Sequence, residues 1–119
     1  METAIRFTWG KLVPGREAQA LDLFADVTTY FGKKMADAKV TYFEPFLLKT
    51  GDFNQEQGFM IVKGPAEEIA RIEQDEEYDS NLGKAHYLLE HFKVDYLVVG
   101  EGIGEELERG AKVRTLLKI

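Results

Sequence analysis

Val40-Thr41-Tyr42-Phe43-Glu44-Pro45-Phe46-Leu47-Leu48, followed by Thr50-Gly51-Asp52-Phe53-Asn54 and then by Gly58-Phe59-Met60-Ile61-Val62-Lys63, is the stretch on which the fold turns. The two outer runs are β-branched and aromatic and the middle is turn chemistry, so Lys39 to Lys49 and Gly58 to Lys63 are predicted to form an antiparallel hairpin. At period two, Val40, Tyr42, Glu44, Phe46 and Leu48 share one face of the first of these strands, and Thr41, Phe43 and Leu47 the other. Both faces are largely apolar, so both need cover. Pro45 cannot donate to a ladder, which places this strand at a sheet edge or gives it a bulge.

Upstream, residues 3–9 alternate, with Ile5, Phe7 and Trp9 on one side and Ala4, Arg6 and Thr8 on the other: a strand with two different faces. From about Arg16 to Met35, Ala20, Leu23, Phe24, Val27 and Phe31 recur at helical spacing, opposite Asp22, Asp26 and Lys33. Downstream, Pro65 with Glu67 and Glu68 behind it opens a short helix, because acids suit the positive end of the backbone dipole. Tyr78, Leu82, Ala85, Leu89 and Phe92 then mark a second long amphipathic helix, Val94 to Val99 a fourth strand, Gly100-Glu101-Gly102 a break, and Glu105 to Leu117 a last helix anchored by Leu107, Ala111 and Leu116. The expected fold class is α+β, a ferredoxin-like βαββαβ domain spanning residues 1–119, with a four-stranded antiparallel sheet, two helices on one face and a C-terminal helix added. A sheet covered on one side only, with large apolar side chains on the other, is expected to pair with a second copy into a homodimer through the uncovered face.

Composition narrows the function classes. The 119 residues are 45% apolar and 30% charged, with eight Phe, five Tyr and one Trp, as in an ordinary folded domain. The formal net charge of −6 and the lack of any lysine or arginine cluster disfavour nucleic acid and anionic membranes as partners. No cysteine is present, so disulfides and thiolate chemistry are excluded, and a cytoplasmic, reducing setting is the simpler expectation. The opening residues carry no signal peptide, and no apolar run is long enough to span a bilayer.

The segment from Ile69 to Gly100 carries a resemblance. Ile72-Glu73-Gln74-Asp75-Glu76-Glu77-Tyr78, then Lys84-Ala85-His86, then Phe92-Lys93-Val94-Asp95-Tyr96-Leu97-Val98-Val99-Gly100 resembles the acidic turn, aromatic, helix and strand of small members of the dimeric α/β-barrel superfamily. The likeness covers about residues 3–102. It implies ferredoxin-like subunits whose sheets close into a barrel, in a superfamily that includes cofactor-independent monooxygenases, haem-degrading enzymes, muconolactone isomerase-like proteins and stress-responsive proteins. The asparagine, tryptophan and histidine trio of the haem-degrading subgroup does not map onto this chain, and no cofactor is expected.

Candidate chemistry is sparse. His86 and His91 are five apart and so about 140° apart on a helix, which separates them too widely for a shared metal, and no metal site is expected. His86 flanks the apolar stripe and is the candidate catalytic base, against a packed histidine bonded to Glu90 or to backbone. Glu44 sits among Val40, Tyr42, Phe46 and Leu48, where a carboxylate needs a partner, and Arg6 and Thr8 are the natural ones if the faces coincide. Gly100-Glu101-Gly102-Ile103-Gly104 has glycines at the wrong interval for dinucleotide binding and acids where pyrophosphate would sit, so it reads as the turn leading into a helix. Gln57 to Val62 supplies only Phe59 of the aromatics an RNA-recognition strand needs. The seven acids between residues 67 and 79 lack the glycine-centred calcium loop and read as a solvated helix end.

Three functions follow as expectations. The first is a homodimer enclosing a small, partly aromatic molecule between helices and sheet, held by Arg6, Trp9, Tyr30, Tyr42 and Glu44. The second is a cofactor-independent oxygenase or isomerase with His86 as base and Arg6 steadying an enolate. The third is an interaction module with no ligand.

Overall fold

Residues Glu2–Trp9 form a strand, β1, because their alternating apolar and polar side chains give it one face to bury and one to leave open. The computed structural model describes residues 1–119, with α1 (Glu17–Ala36), β2 (Tyr42–Leu47), β3 (Gly58–Pro65), α2 (Ala66–Glu73), α3 (Glu76–Leu88), β4 (Lys93–Val98) and α4 (Glu101–Leu117) following β1. The sheet order is β2-β3-β1-β4 and every neighbouring pair is antiparallel, the ferredoxin-like α+β arrangement. Pro45 lies in the edge strand β2, as its missing donor requires. No helix is long and apolar enough to cross a membrane.

Register fixes which side chains share a face. Ile5 stands opposite Val62 and Tyr96, and Phe7 opposite Met60 and Val94, so these form the side that meets α1, α2 and α3. Ile5, Val62 and Val40 are wholly buried there, and Phe31 of α1 touches the rings of Phe7, Tyr30, Phe43 and Tyr78. The other side carries three rows across the sheet: Phe46-Phe59-Thr8-Lys93, Glu44-Ile61-Arg6-Asp95 and Tyr42-Lys63-Ala4-Leu97. No helix is packed over these rows.

Three element boundaries differ from the sequence pattern. β2 begins at Tyr42 rather than Lys39, because the amides of Lys39 and Val40 turn back to the Lys34 carbonyl and finish α1. α3 stops at Leu88, short of Phe92, because the next residues pair with the β1–α1 loop: Leu12 bridges Leu89, Gly10 donates to the Glu90 carbonyl and Glu90 donates to the Lys11 carbonyl. α4 starts at Glu101, not Glu105, despite its glycines. Gly102 is the reason: a Cβ there would lie 2.8 Å from Val98 Cγ1, so glycine lets the first turn of α4 pack on the end of the sheet. The expected anchors Leu107, Ala111 and Leu116 are all exposed, and α4 stands clear of its own core.

Candidate functional site

The six residues singled out by the sequence fall into three places. Trp9, at the end of β1, points to the helix side, where its ring lies 5.0 Å from that of Phe24. Tyr30, one turn from the middle of α1, is buried in the same layer with its ring 5.0 Å from that of Phe31, and its hydroxyl donates to Asp75 Oδ2 at 2.5 Å. That bond ties α1 to the turn between α2 and α3. Burial, reinforced by the Asp75 carboxylate, holds the Tyr30 phenol well above its ordinary range.

Arg6, Tyr42 and Glu44 lie on the uncovered side of the sheet. The faces of Arg6 and Glu44 coincide, as the sequence allowed, and the two share one row with Ile61 between them. They do not pair: two strand spacings put them roughly 10 Å apart at the backbone. Arg6 instead donates to Asp95 Oδ2 at 2.9 Å on the neighbouring strand, with Lys93 Nζ 4.0 Å from the same oxygen. Glu44 accepts a hydrogen bond from the Tyr42 hydroxyl, which raises the Tyr42 phenol above its usual value. Both partners of the Arg6–Asp95 pair are more than a third exposed, so the bond is worth about 0–1 kcal/mol.

His86 is exposed on α3, with its ring edge-on to Phe92 at 5.0 Å. It makes no hydrogen bond to Glu90, whose amide instead donates to Lys11. The residues expected to surround one ligand therefore occupy opposite sides of the sheet and the outer flank of a helix, and a single cavity does not touch them all. The structure brings together Trp9 with Tyr30, and Tyr42 with Glu44.

A cavity does lie between helices and sheet. Trp9, Phe24, Phe31, Met60, Tyr78 and Phe92 are part of its wall, and it measures about 40 Å³. An enclosed drug-sized ligand occupies ~300–1,000 Å³, so a guest larger than a water or two must part α1 from α3. The wall is apolar but for Tyr30, Tyr78 and Asn81. The Tyr78 hydroxyl is buried and makes no hydrogen bond of ordinary geometry, the Tyr96 hydroxyl being its polar neighbour; burial first, and Tyr96 second, push its phenol above the ordinary value. Sequence reasoning placed Tyr78 in the apolar stripe and passed over Asn81. The usable signal was the spacing of Tyr78, Asn81, Leu82 and Ala85, which puts an amide on the buried side of α3. No group of three or more His, Asp or Glu side chains converges anywhere in the molecule.

The uncovered sheet side divides in two. Over β2 and β3 it has an apolar corner, where Phe46 and Phe59 stack at 4.8 Å and 15° with Ile61 next along β3, and beyond it Glu44 bonded to Tyr42 and Lys63 Nζ 4.8 Å over the Tyr42 ring. Over β1 and β4 it is polar, carrying Arg6, Asp95 and Lys93, and Leu97 is the only large apolar side chain of β4 on this side. Two polar atoms here, Arg6 Nε and Thr8 Oγ1, are shut off from solvent and have no partner.

No protein-family model matches the chain, and no curated protein matches it in sequence. Among solved structures, PA3566 from Pseudomonas aeruginosa aligns with a TM-score of 0.54 at 20% identity, over 81% of this chain and 90% of that one. A NIPSNAP family protein from Agrobacterium tumefaciens aligns with a TM-score of 0.47 at 13% identity, over 85% and 95% of the two chains. A NIPSNAP domain protein from Burkholderia xenovorans gives 0.46 at 16%, over 85% and 96%. The likeness to PA3566 is one of fold.

Proposed function

We propose that the protein acts as a homodimer of the dimeric α/β-barrel kind, closed through the uncovered sheet side, and admits a small, partly aromatic molecule bearing one polar group between its helices and sheet. The observation that carries the ligand reading is the Tyr78 hydroxyl, buried in the wall of an aromatic cavity with the Tyr96 hydroxyl as its polar neighbour but no hydrogen bond of ordinary geometry made. Leaving a buried hydroxyl unpaired costs about 1–3 kcal/mol, and a guest with a polar substituent removes that cost while its ring replaces void with contact. Trp9, Phe24 and Phe31 supply the faces such a ring stacks on.

Dimer formation is supported by the Phe46-Phe59-Ile61 patch on the uncovered side, whose burial against a second sheet is favourable. Arg6, Tyr42 and Glu44 are then residues of the seam between subunits rather than of the ligand space. His86, on the outer flank of α3, has no place beside this guest, and the non-catalytic reading is the one its exposure favours.

A matched pair of probes tests the ligand reading. p-Cresol and toluene differ in one hydroxyl, and the indole N–H resonance of Trp9, the only tryptophan, reports occupancy of the cavity. p-Cresol is expected to bind roughly 2–10-fold tighter than toluene, the worth of one net hydrogen bond, and Tyr78→Phe is expected to erase the difference. Equal binding of the two by the unaltered protein, or no shift at Trp9 with either, refutes it.

A further inference from the structure

The last helix, α4, is the one element that the fold leaves without a layer. Gly102 is its only buried residue, and the radius of gyration of 16.6 Å exceeds the about 13.5 Å of a compact chain of this length. At 100° per residue, Ile103, Leu107, Gly110, Val113 and Leu117 fall on one side of α4. The four side chains in that group are 49%, 69%, 46% and 62% exposed. The charges are sorted along the helix as well. Glu101, Glu105, Glu106 and Glu108 occupy the first half, and Arg109, Lys112, Arg114 and Lys118 follow in and just past the second.

We propose that α4 pairs antiparallel with α4 of a second copy of this chain, with Gly110 on the two-fold axis. An apolar stripe alone names no partner; the sorted charge does. A helix that is acidic in its first half and basic in its second is complementary to itself only when reversed, which is the self-complementarity a two-fold interface demands. The register follows from the same residues. With Gly110 at the crossing, Ile103 meets the partner's Leu117, Leu107 meets the partner's Val113, and Glu106 meets the partner's Arg114. Each such contact occurs twice, once on either side of the axis. Gly110 suits the crossing point, since it has no side chain and lets two backbones approach.

Glu106 and Arg114 lie within the same side of the helix, Glu106 between Val113 and Leu117 and Arg114 between Ile103 and Leu107, so the pair they form across the axis sets the orientation. Within one chain Glu106 is bonded to Arg109, so pairing exchanges or shares that contact rather than ionising a buried group. One helix pair of about 25 Å is a small joint, well under the roughly 1,200 Å² of a standard interface. It therefore fastens copies together weakly and does not replace the sheet-to-sheet contact. The pairing stands whether or not the sheets pair.

The chain has no cysteine, which makes disulfide trapping clean. Gly110→Cys puts a thiol on the axis, where a Cβ meets only the Arg114 guanidinium at 3.6 Å, and Lys112→Cys puts one on the opposite side of the same helix. In the full chain under a glutathione redox buffer, Gly110→Cys is expected to form its dimeric disulfide at least tenfold faster than Lys112→Cys. In the Gly110→Cys background, Glu106→Arg alone and Arg114→Glu alone are each expected to slow it, because each sets like charges face to face. Mixing those two variants is expected to restore the rate in the mixed disulfide, where both contacts become attractive again. Equal rates for Gly110→Cys and Lys112→Cys overturn the pairing, and so does a mixture no faster than the single reversals. Trapping is read in the Ile61→Glu background too: loss of sheet pairing with trapping intact separates the two interfaces, and trapping that vanishes there overturns the independence claimed for α4.

Discussion

Replacing Phe31 by alanine removes the ring around which the helix-side layer is assembled. Phe31 is 2% exposed and meets Phe7, Tyr30, Phe43 and Tyr78 at centroid distances of 5.0 to 6.4 Å. Phe→Ala in a core costs about 3–5 kcal/mol, made up of lost transfer free energy and the void left behind. The aromatic contacts, each worth up to roughly 1.5 kcal/mol, push the expected value to the upper half of that range. The void adjoins the existing cavity of about 40 Å³ and enlarges it towards the roughly 150 Å³ at which a rigid apolar cavity stays dry and admits benzene. Urea unfolding with and without benzene measures both effects. The variant is expected to lose about 4 kcal/mol and to regain about 2.7 kcal/mol at a hundred times the benzene dissociation constant, while the unaltered protein gains far less. A loss below about 1 kcal/mol would show that Phe31 does not hold the layer together. A full loss with no recovery in benzene would show that α1 and α3 collapse onto the gap, which removes the physical basis for a guest between helices and sheet.

Two other perturbations follow from the same layer. Gly58→Ala sets a Cβ 2.7 Å from both the Phe46 carbonyl oxygen and Trp9 Cζ2, so β3 and Trp9 must shift; a loss of about 1–3 kcal/mol with altered Trp9 fluorescence is expected, and an unperturbed spectrum contradicts the packing. Alkaline unfolding carries the signature of Tyr30 and Tyr78, whose folded phenols titrate above their unfolded value of 10.0. Their contribution is fully present below pH 10.0 and is lost as pH rises beyond it, because the unfolded chain gives up those protons first. Stability should fall above that pH and fall less steeply in Tyr30→Phe; an identical slope in the variant removes Tyr30 from the account.

The element order was legible because each period is local. β1 alternates, α1 repeats every three to four residues, and Pro45 announces an edge, all without reference to the rest of the chain. What failed was decided by distant residues. The helical pattern of α3 runs on to Phe92, but the β1–α1 loop offers backbone partners that end the helix at Leu88. The glycines ahead of α4 read as a break, yet Gly102 is what lets the helix start against Val98.

The candidate site suffered most, since a strand pattern says which residues share a face but not which face is inside. Tyr42 and Glu44 were grouped with Trp9 and Tyr30 because all are aromatic or charged among aromatics, while the register sends the two pairs to opposite sides. Arg6 and Glu44 do share a face, but Asp95 is one strand away and Glu44 two, so the nearer carboxylate takes the guanidinium. The buried Tyr78 hydroxyl had no signal at all, because whether a hydrogen bond is met is a property of surroundings rather than of sequence.

The central claim is that the uncovered sheet side is a subunit interface, and sedimentation velocity of the full chain across the micromolar range tests it most directly. Leu107→Glu is carried in both samples so that α4 contributes nothing, and Ile61→Glu is added to one of them. The account predicts a dimer without Ile61→Glu. With it, a monomer of unchanged circular dichroism is expected, since two buried isoleucines worth about 1.5–3 kcal/mol each are lost and charge is forced between the sheets. A monomer in both samples, or a dimer that Ile61→Glu leaves intact, contradicts it.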